Sequence, residues 1–245
     1  MGEVVWQDEV LPARHSTLNV PIGTTRRFAS GSLELAGVKQ IKRALGGTVN
    51  DVVLAVVTGA LRRLLEQRGE TLDRPLRAMV PVNVRGKDHT SLGNRVSSLF
   101  VELPIGEPDR RRRYDRTRAA ATALKSGTAT LGASTIVRVS EVAPPLLHQS
   151  IAQILYGTRL FNITITNIPG PQIPLYALGA RLRRILPLVP LAADHTIGIA
   201  ILSYDDELAF GINADRAATP DVHVLENAVH EEFAALLSLK EPRRR

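Results

Sequence analysis

A mixed β-sheet covered by helices, an α/β fold of the α+β sandwich kind, is what three features of this 245-residue chain predict. Hydrophobic residues make up 44% and charged residues 22%, the balance of an ordinary globular protein long enough to bury a core. Short runs rich in Val, Ile, Thr and Phe read as strands, and they are interspersed with longer runs whose apolar residues recur at helical spacing. Gly and Pro clusters mark the boundaries, and no repeat or low-complexity segment interrupts the pattern.

Residues 1–27 lack periodicity and contain Pro12, Pro21 and Gly23, so they read as an extended lead-in. The domain proper is expected over 28–240, followed by a disordered basic tail at 241–245. A strand is expected at 28–35, then a short amphipathic helix at 36–45 ended by Gly46-Gly47. A longer helix comes next over 48–68, with Val49, Val53, Val56, Val57, Ala60 and Leu64 at helical spacing and Arg62, Arg63, Glu66 and Gln67 polar. Its mouth is unusual, because Asn50 and Asp51 stand beside a run of valines. Capping explains Thr48 and Asp51: the Thr48 side chain accepts from first-turn N–H groups, Asp51 reaches back, and its charge suits the positive end of the helix dipole. Capping does not explain Asn50. Strands are expected next at 76–84 and 96–103, then a heavily charged helix at 108–126 and a helical segment at 134–156 broken near Pro144-Pro145. The remaining elements are a strand at 161–167, an irregular strand at 181–191, and a hairpin of 196–204 and 208–213 around Asp205-Asp206-Glu207. A closing helix at 220–239 has Pro220 suited to its first turn.

The net charge of +7 favours anionic partners: nucleic acid, an anionic membrane surface or a phosphate-bearing cofactor. Aromatic residues are only 4% and are not interleaved with the arginines, which argues against a single-strand stacking platform, and no nucleic-acid partner is expected. There is no cysteine, hence no disulfide and no thiolate metal site. No signal peptide is read at the start. The longest apolar run, 52–61, falls short of the roughly 20 residues that cross a bilayer, and the run at 185–193 is broken by Pro187 and Pro190.

No self-sufficient catalytic constellation is present. The six histidines form no His-x-x-x-His pair, so no metal site is expected. His195, preceded by Asp194 and followed by a strand, is either a structural strand histidine or a base that would need a substrate and an orienting partner in reach. Nucleophile-elbow, Walker-type and dinucleotide-binding glycine motifs are absent. Three loops stand out instead. A strand ends in Asn83 and Arg85, whose guanidinium either holds an anion or simply lies at the surface. Gly93-Asn94 precedes a strand as a turn does. The segment Thr166–Pro174 carries Asn167-Ile168-Pro169-Gly170-Pro171, stiffer than a plain connection needs and suited to one wall of a tunnel. The arginines Arg110, Arg111, Arg112 and Arg113, with Arg116 and Arg118, read as a solvated helix face or as a contact for anionic lipid head groups.

Six stretches in order, STLNVPIGTTRRFA, TVNDVVLAVVTGALRRLL, VPVNVRG, LGNRVSSLFVELP, TNIPGP and ILSYDDELAFGINAD, resemble the C-terminal half of the bacterial wax ester synthase/diacylglycerol acyltransferase family. The resemblance runs from about Ser16 to the end. It implies one half of a CoA-dependent acyltransferase (chloramphenicol acetyltransferase-like) fold, in which two similar halves enclose a tunnel. It implies transfer of a long-chain acyl group from acyl-CoA, a co-substrate rather than a bound cofactor, to diacylglycerol or a long-chain alcohol. Residues 1–27 would then be the linker between the halves. The family's base motif, His-His-x-x-x-Asp-Gly, belongs to the N-terminal half, and no His-His pair occurs here. An N-terminal half, on the same or a separate chain, is therefore an implied partner, and the isolated chain is expected to be inactive. Asn50-Asp51 matches the family's Asn-Asp motif, an active-site support. Asn83, more loosely, and Arg85, Asn94, Asn167, Pro169, Gly170, Pro171, Ser203 and Tyr204 match positions that line the tunnel or hold structure. A cytoplasmic location at the surface of a membrane or lipid droplet is implied. The alternative is a non-catalytic lipid-binding or assembly module, and a large exposed apolar patch would favour the acyltransferase half over it.

Overall fold

The structure is a computed structural model that describes residues 12–83, 96–125 and 160–239. Its strands are β1 (Arg26–Glu34), β2 (Leu76–Asn83), β3 (Val96–Leu103), β4 (Ile163–Pro169), β5 (Tyr176–Ala177), β6 (Ala180–Arg181), β7 (Ile197–Tyr204) and β8 (Glu207–Asp215). The described helices are α1 (Leu35–Leu45), α2 (Val49–Gln67), α3 (Arg110–Lys125) and α4 (Val222–Leu237). Six strands make one sheet in the order β1-β8-β7-β4-β2-β3, and β5 and β6 form a separate hairpin. Strand β4 runs parallel to both β2 and β7, while the outer pairs are antiparallel. The carboxyl ends of β2, β4 and β7 therefore lie along one edge of the sheet.

Period-2 alternation sends Ile163, Ile165, Ile197, Ile199, Ile201, Leu208, Phe210 and Ile212 into one core with the helices. Helix α2 departs from the one-sided pattern expected of it. Every residue from Asp51 to Leu61 is buried, including Val52, Leu54, Ala55 and Leu61 between the predicted apolar positions. The reason is its place: α2 packs against α3 and α4 as well as the core, and a helix apolar all round must be enclosed. At the crossing with α4 the Glu232 carboxylate lies against Gly59, where a Cβ would collide with it. Glu232 accepts from Arg113 Nη2 at 2.8 Å and from Arg110 Nε at 3.2 Å.

The β7–β8 hairpin turns through Asp205 and Asp206, with φ of 43° and 66°. Two successive positive φ angles match the sheet's twist, and Asp tolerates them better than bulky residues do. Strands β1 and β8 extend to Arg26 and Asp215, two residues beyond the sequence expectation, because the two pair along their full length. The irregular strand expected at 181–191 is corrected. Only Arg181 is in a strand, within the β5–β6 hairpin, and the chain from Leu182 to Ala192 lies over the sheet without joining it. Pro187 and Pro190 have no N–H to offer a ladder, while the Val189 carbonyl accepts from Asn213 Nδ2 at 3.0 Å. The helical segment expected at 134–156 and the tail at 241–245 lie outside the described residues.

The lead-in from residue 12 to 25 has no strand or helix but is stitched to the body. Asn162 Nδ2 donates to Arg14 O at 2.8 Å and to Asn19 Oδ1 at 2.7 Å. Arg14 pairs with Glu70 at 3.0 Å, and Thr196 N donates to Leu18 O at 2.9 Å.

Candidate functional site

Asn50 sits in the first turn of α2, and three devices hold that turn. Thr48 and Asp51 form the capping box read from the sequence: Asp51 N donates to Thr48 Oγ1 at 3.3 Å, and Thr48 N donates to Asp51 Oδ2 at 2.8 Å. Arg118 Nη1 donates to Leu45 O at 2.7 Å. The Tyr114 hydroxyl donates to Gly46 O at 2.6 Å, so α3 grips the corner between α1 and α2. Burial, with the nearby Asp51 charge adding to it, pushes the Tyr114 pKa up to about 12, which keeps this hydroxyl a donor.

Asn167, near the carboxyl end of β4, meets this turn. Its Nδ2 donates to Asn50 Oδ1 at 3.3 Å, joining residues 117 apart in sequence. Both side chains are half-buried. Two residues on, Pro169 pairs in register with Ser203 of β7. The Ser203 hydroxyl accepts from Gly170 N and from Gln172 Nε2, both at 3.2 Å, and a Cβ at Gly170 would run into the Ser203 carbonyl oxygen. Tyr204 fastens the chain beyond Gln172: Leu175 N donates to its hydroxyl at 2.8 Å, and the hydroxyl donates to Leu182 O at 3.0 Å. Arg181–Asp205 and Arg184–Glu207 pairs, at 2.6 and 2.8 Å, tie the same segment to the β7–β8 turn.

These anchors hold an arm that stands away from the core. Every residue from Pro171 to Arg184 is exposed, and the arm's apolar side chains include Ile173 (65%), Tyr176 (64%) and Leu178 (108%). Leu178 and Gly179, with φ of 50° and 81°, turn the β5–β6 hairpin at its tip. Ile168, Leu186 and Leu188 continue the exposed apolar surface along the chain on either side.

The structure thus brings Asn50, Asn167, Pro169, Gly170, Pro171, Ser203 and Tyr204 to one edge. The backbone of Asn83 ends β2 at that edge, whereas Arg85 and Asn94 lie outside the described residues. His195 is elsewhere. It precedes β7, about 25 Å of strand from Ser203. It is buried, stacked on Phe161 at 4.0 Å, with Nδ1 2.5 Å from Ala193 O and Nε2 3.1 Å from Phe161 O. Both ring nitrogens face backbone carbonyl oxygens, so the structural reading of this histidine stands.

The arginine cluster is corrected in part. Arg113 is buried at 3% and paired with Glu232, so no guanidinium is left there for a head group. Arg110 shares Glu232, and Arg111 pairs with Asp115 at 3.0 Å. Arg112 is exposed, and its guanidinium has no partner among the described residues. Among the described residues no group of three His, Asp or Glu is placed to hold a metal ion, and no single helix is long and apolar enough to cross a membrane. The β5–β6 hairpin and the Asn50–Asn167 pair were missed from sequence. Gly179 was the only local sign of the first, and no local sign exists for the second.

A mixed sheet packed with helices, the carboxyl ends of its parallel strands along one edge, has the architecture of one half of a CoA-dependent acyltransferase fold. The family model of the WS/DGAT C-terminal domain matches residues 92–237, and that of the wax ester synthase/diacylglycerol acyltransferase catalytic domain matches residues 8–53. The chain belongs to the wax ester synthase/diacylglycerol acyltransferase family. It is similar to a probable diacylglycerol O-acyltransferase of Mycobacterium tuberculosis, 32% identical over 242 residues, covering 96% of this chain and 52% of that protein. An O-acyltransferase of Acinetobacter baylyi is 33% identical over 219 residues, covering 89% and 48%. Among solved structures, the wax ester synthase/diacylglycerol acyltransferase of Marinobacter aquaeolei superposes with a TM-score of 0.71 at 27% identity, covering 91% of this chain and 51% of that one. The chain spans about half the length of these relatives. Asn50 and Asp51 fall in the part matched by the catalytic-domain model, and Asn167, Ser203 and Tyr204 in the part matched by the C-terminal one.

Proposed function

We propose that this chain is the C-terminal half of an O-acyltransferase that moves a long-chain acyl group from acyl-CoA to diacylglycerol or a long-chain alcohol. The observation that carries the reading is the anchored arm: apolar side chains, held by Tyr204, Arg181 and Arg184, stand exposed beside the Asn50–Asn167 edge. So continuous an apolar surface on such anchors calls for a cover, which an N-terminal half supplies. It does not fit the closed polar surface expected of a self-contained module.

In this reading a histidine of the N-terminal half takes the proton of the acceptor hydroxyl, whose oxygen attacks the thioester carbonyl. The carbon–oxygen bond forms, the carbon–sulfur bond breaks, and the proton passes to the departing CoA thiolate. The oxyanion formed between these steps needs a fixed donor, and Asn50 is the donor this half brings. The isolated chain has no turnover, and the completed enzyme works at the cytoplasmic surface of a membrane or lipid droplet, where Arg112 meets anionic head groups.

Acyl transfer from a long-chain acyl-CoA to diacylglycerol, measured with the chain alone and with a separately made N-terminal half, tests the proposal. The expected result is no turnover alone and recovery on mixing. Turnover by the chain alone would overturn the assignment of the base. In the mixed enzyme Asn50→Ala is expected to lower turnover without unfolding the chain, and unchanged turnover would remove Asn50 from the mechanism.

A further inference from the structure

We propose that Asn167 is a positioning residue for Asn50: it holds the Asn50 amide so that its NH2 group, not its carbonyl, faces the acyl group in transfer. The proposal rests on the acyltransferase reading above for the identity of the reacting group.

A primary amide carries an acceptor at one end and two donor hydrogens at the other. The Asn50 backbone has no freedom, because the capping box and the grips of Tyr114 and Arg118 fix the start of α2. The Asn167 backbone has none either, because β4 is in register with β7, where Asn167 pairs with Ile201. What remains is rotation of the Asn50 amide about its last torsion, which exchanges oxygen and nitrogen. In the structure Asn167 Nδ2 makes that choice by donating to Asn50 Oδ1 at 3.3 Å. Turning the Asn50 amide alone would set NH2 against NH2. With Oδ1 taken up by Asn167, the Asn50 Nδ2 hydrogens have no partner among the described residues, in a half-buried position at the carboxyl edge of the parallel strands.

Asn167→Asp separates this role from a merely structural one. Aspartate has almost the same shape but, when ionised, only accepts. Asn50 must then turn its NH2 towards residue 167 and present its carbonyl to the site. The hydrogen bond and the packing survive while the donor is lost. A structural role predicts a tolerated substitution, and a positioning role predicts a stable but impaired enzyme.

Two measurements decide. In 15N–1H spectra of the 245-residue chain, the Asn50 side-chain NH2 signals are identified by their loss in Asn50→Asp. They are expected to move downfield and exchange more slowly with water in Asn167→Asp, and signals that stay in place overturn the proposal. In the enzyme completed by an N-terminal half, Asn167→Asp is expected to lower kcat by about a hundredfold, with KM for acyl-CoA little changed. Because acid also protonates the histidine base, the comparison is the ratio to the unsubstituted enzyme at the same pH, and that ratio should rise as the pH is lowered and residue 167 regains a proton to donate. Unchanged kcat, or a ratio that acid does not raise, overturns it. If mixing gives no turnover even with the unsubstituted chain, the acyltransferase reading has failed, and the spectra still decide whether Asn167 orients Asn50.

Discussion

Helix α2 and the arm from Pro171 to Arg184 both carry many apolar residues, yet they meet opposite fates. From Asp51 to Leu61 every α2 side chain is buried, whereas every arm residue from Pro171 to Arg184 is exposed. The difference is not composition but what the chain itself can supply. Around α2 it supplies the core cluster, α3 and α4; around the arm it supplies only anchors at the base. Apolar surface that is enclosed stabilises this chain, and apolar surface that is held out is poised for something else.

The sharpest way to break that comparison is at the ion pair that ties α3 to α4 over Gly59 of α2. Glu232→Ala leaves Arg113 buried without its partner, and a loss of about 3–5 kcal/mol in denaturant unfolding is expected. A loss near zero would mean that the helix layer is not the stabilising part. The direct contrast is next: Leu61→Ala, at a fully buried position, should cost about 2–5 kcal/mol. Leu178→Ala, at the tip of the arm, should stay within about 0.5 kcal/mol in the same titration. Equal effects would erase the distinction between the two regions.

At the junction, Gly170→Ala should cost about 1–3 kcal/mol, because the Ser203 carbonyl is part of the sheet and cannot move aside. A further effect is expected on the acid limb of stability. Backbone N–H groups of Ala218, Gly23 and Ala217 hold the Asp215 carboxyl below the usual carboxylate range, most strongly through Ala218. A folded-state pKa below the unfolded one adds stability that is complete above the unfolded pKa of about 3.9 and is lost as pH falls through the folded value. Asp215→Asn should therefore flatten the stability curve on the acid side while leaving its shape near neutrality. An unchanged acid limb would show that Asp215 is not a contributor.

Much of this was legible in the sequence, and the reasons differ by element. The capping box of Thr48 and Asp51 is local, so spacing alone reveals it. The β7–β8 hairpin is likewise local, carried by alternation and by two aspartates that accept positive φ. The segment at 181–191 misled because apolar β-formers do not make a strand where prolines withhold donors and a sheet already lies beneath. Arg113 misled because its fate depends on Glu232, 119 residues away. The neighbours of Asn50 were equally hidden, since its partner comes from a different strand.

By itself, then, the sequence determined the order of elements, the caps and turns, and the family, because these depend on neighbours a few residues apart or on motifs in register. Only the tertiary structure decided that α2 is enclosed on all sides, that Arg113 is inside, and that Asn50 meets Asn167 at the carboxyl edge. Those outcomes depend on which distant residues share a place, and the parallel pairing of β4 with β2 and β7 is what brings them there.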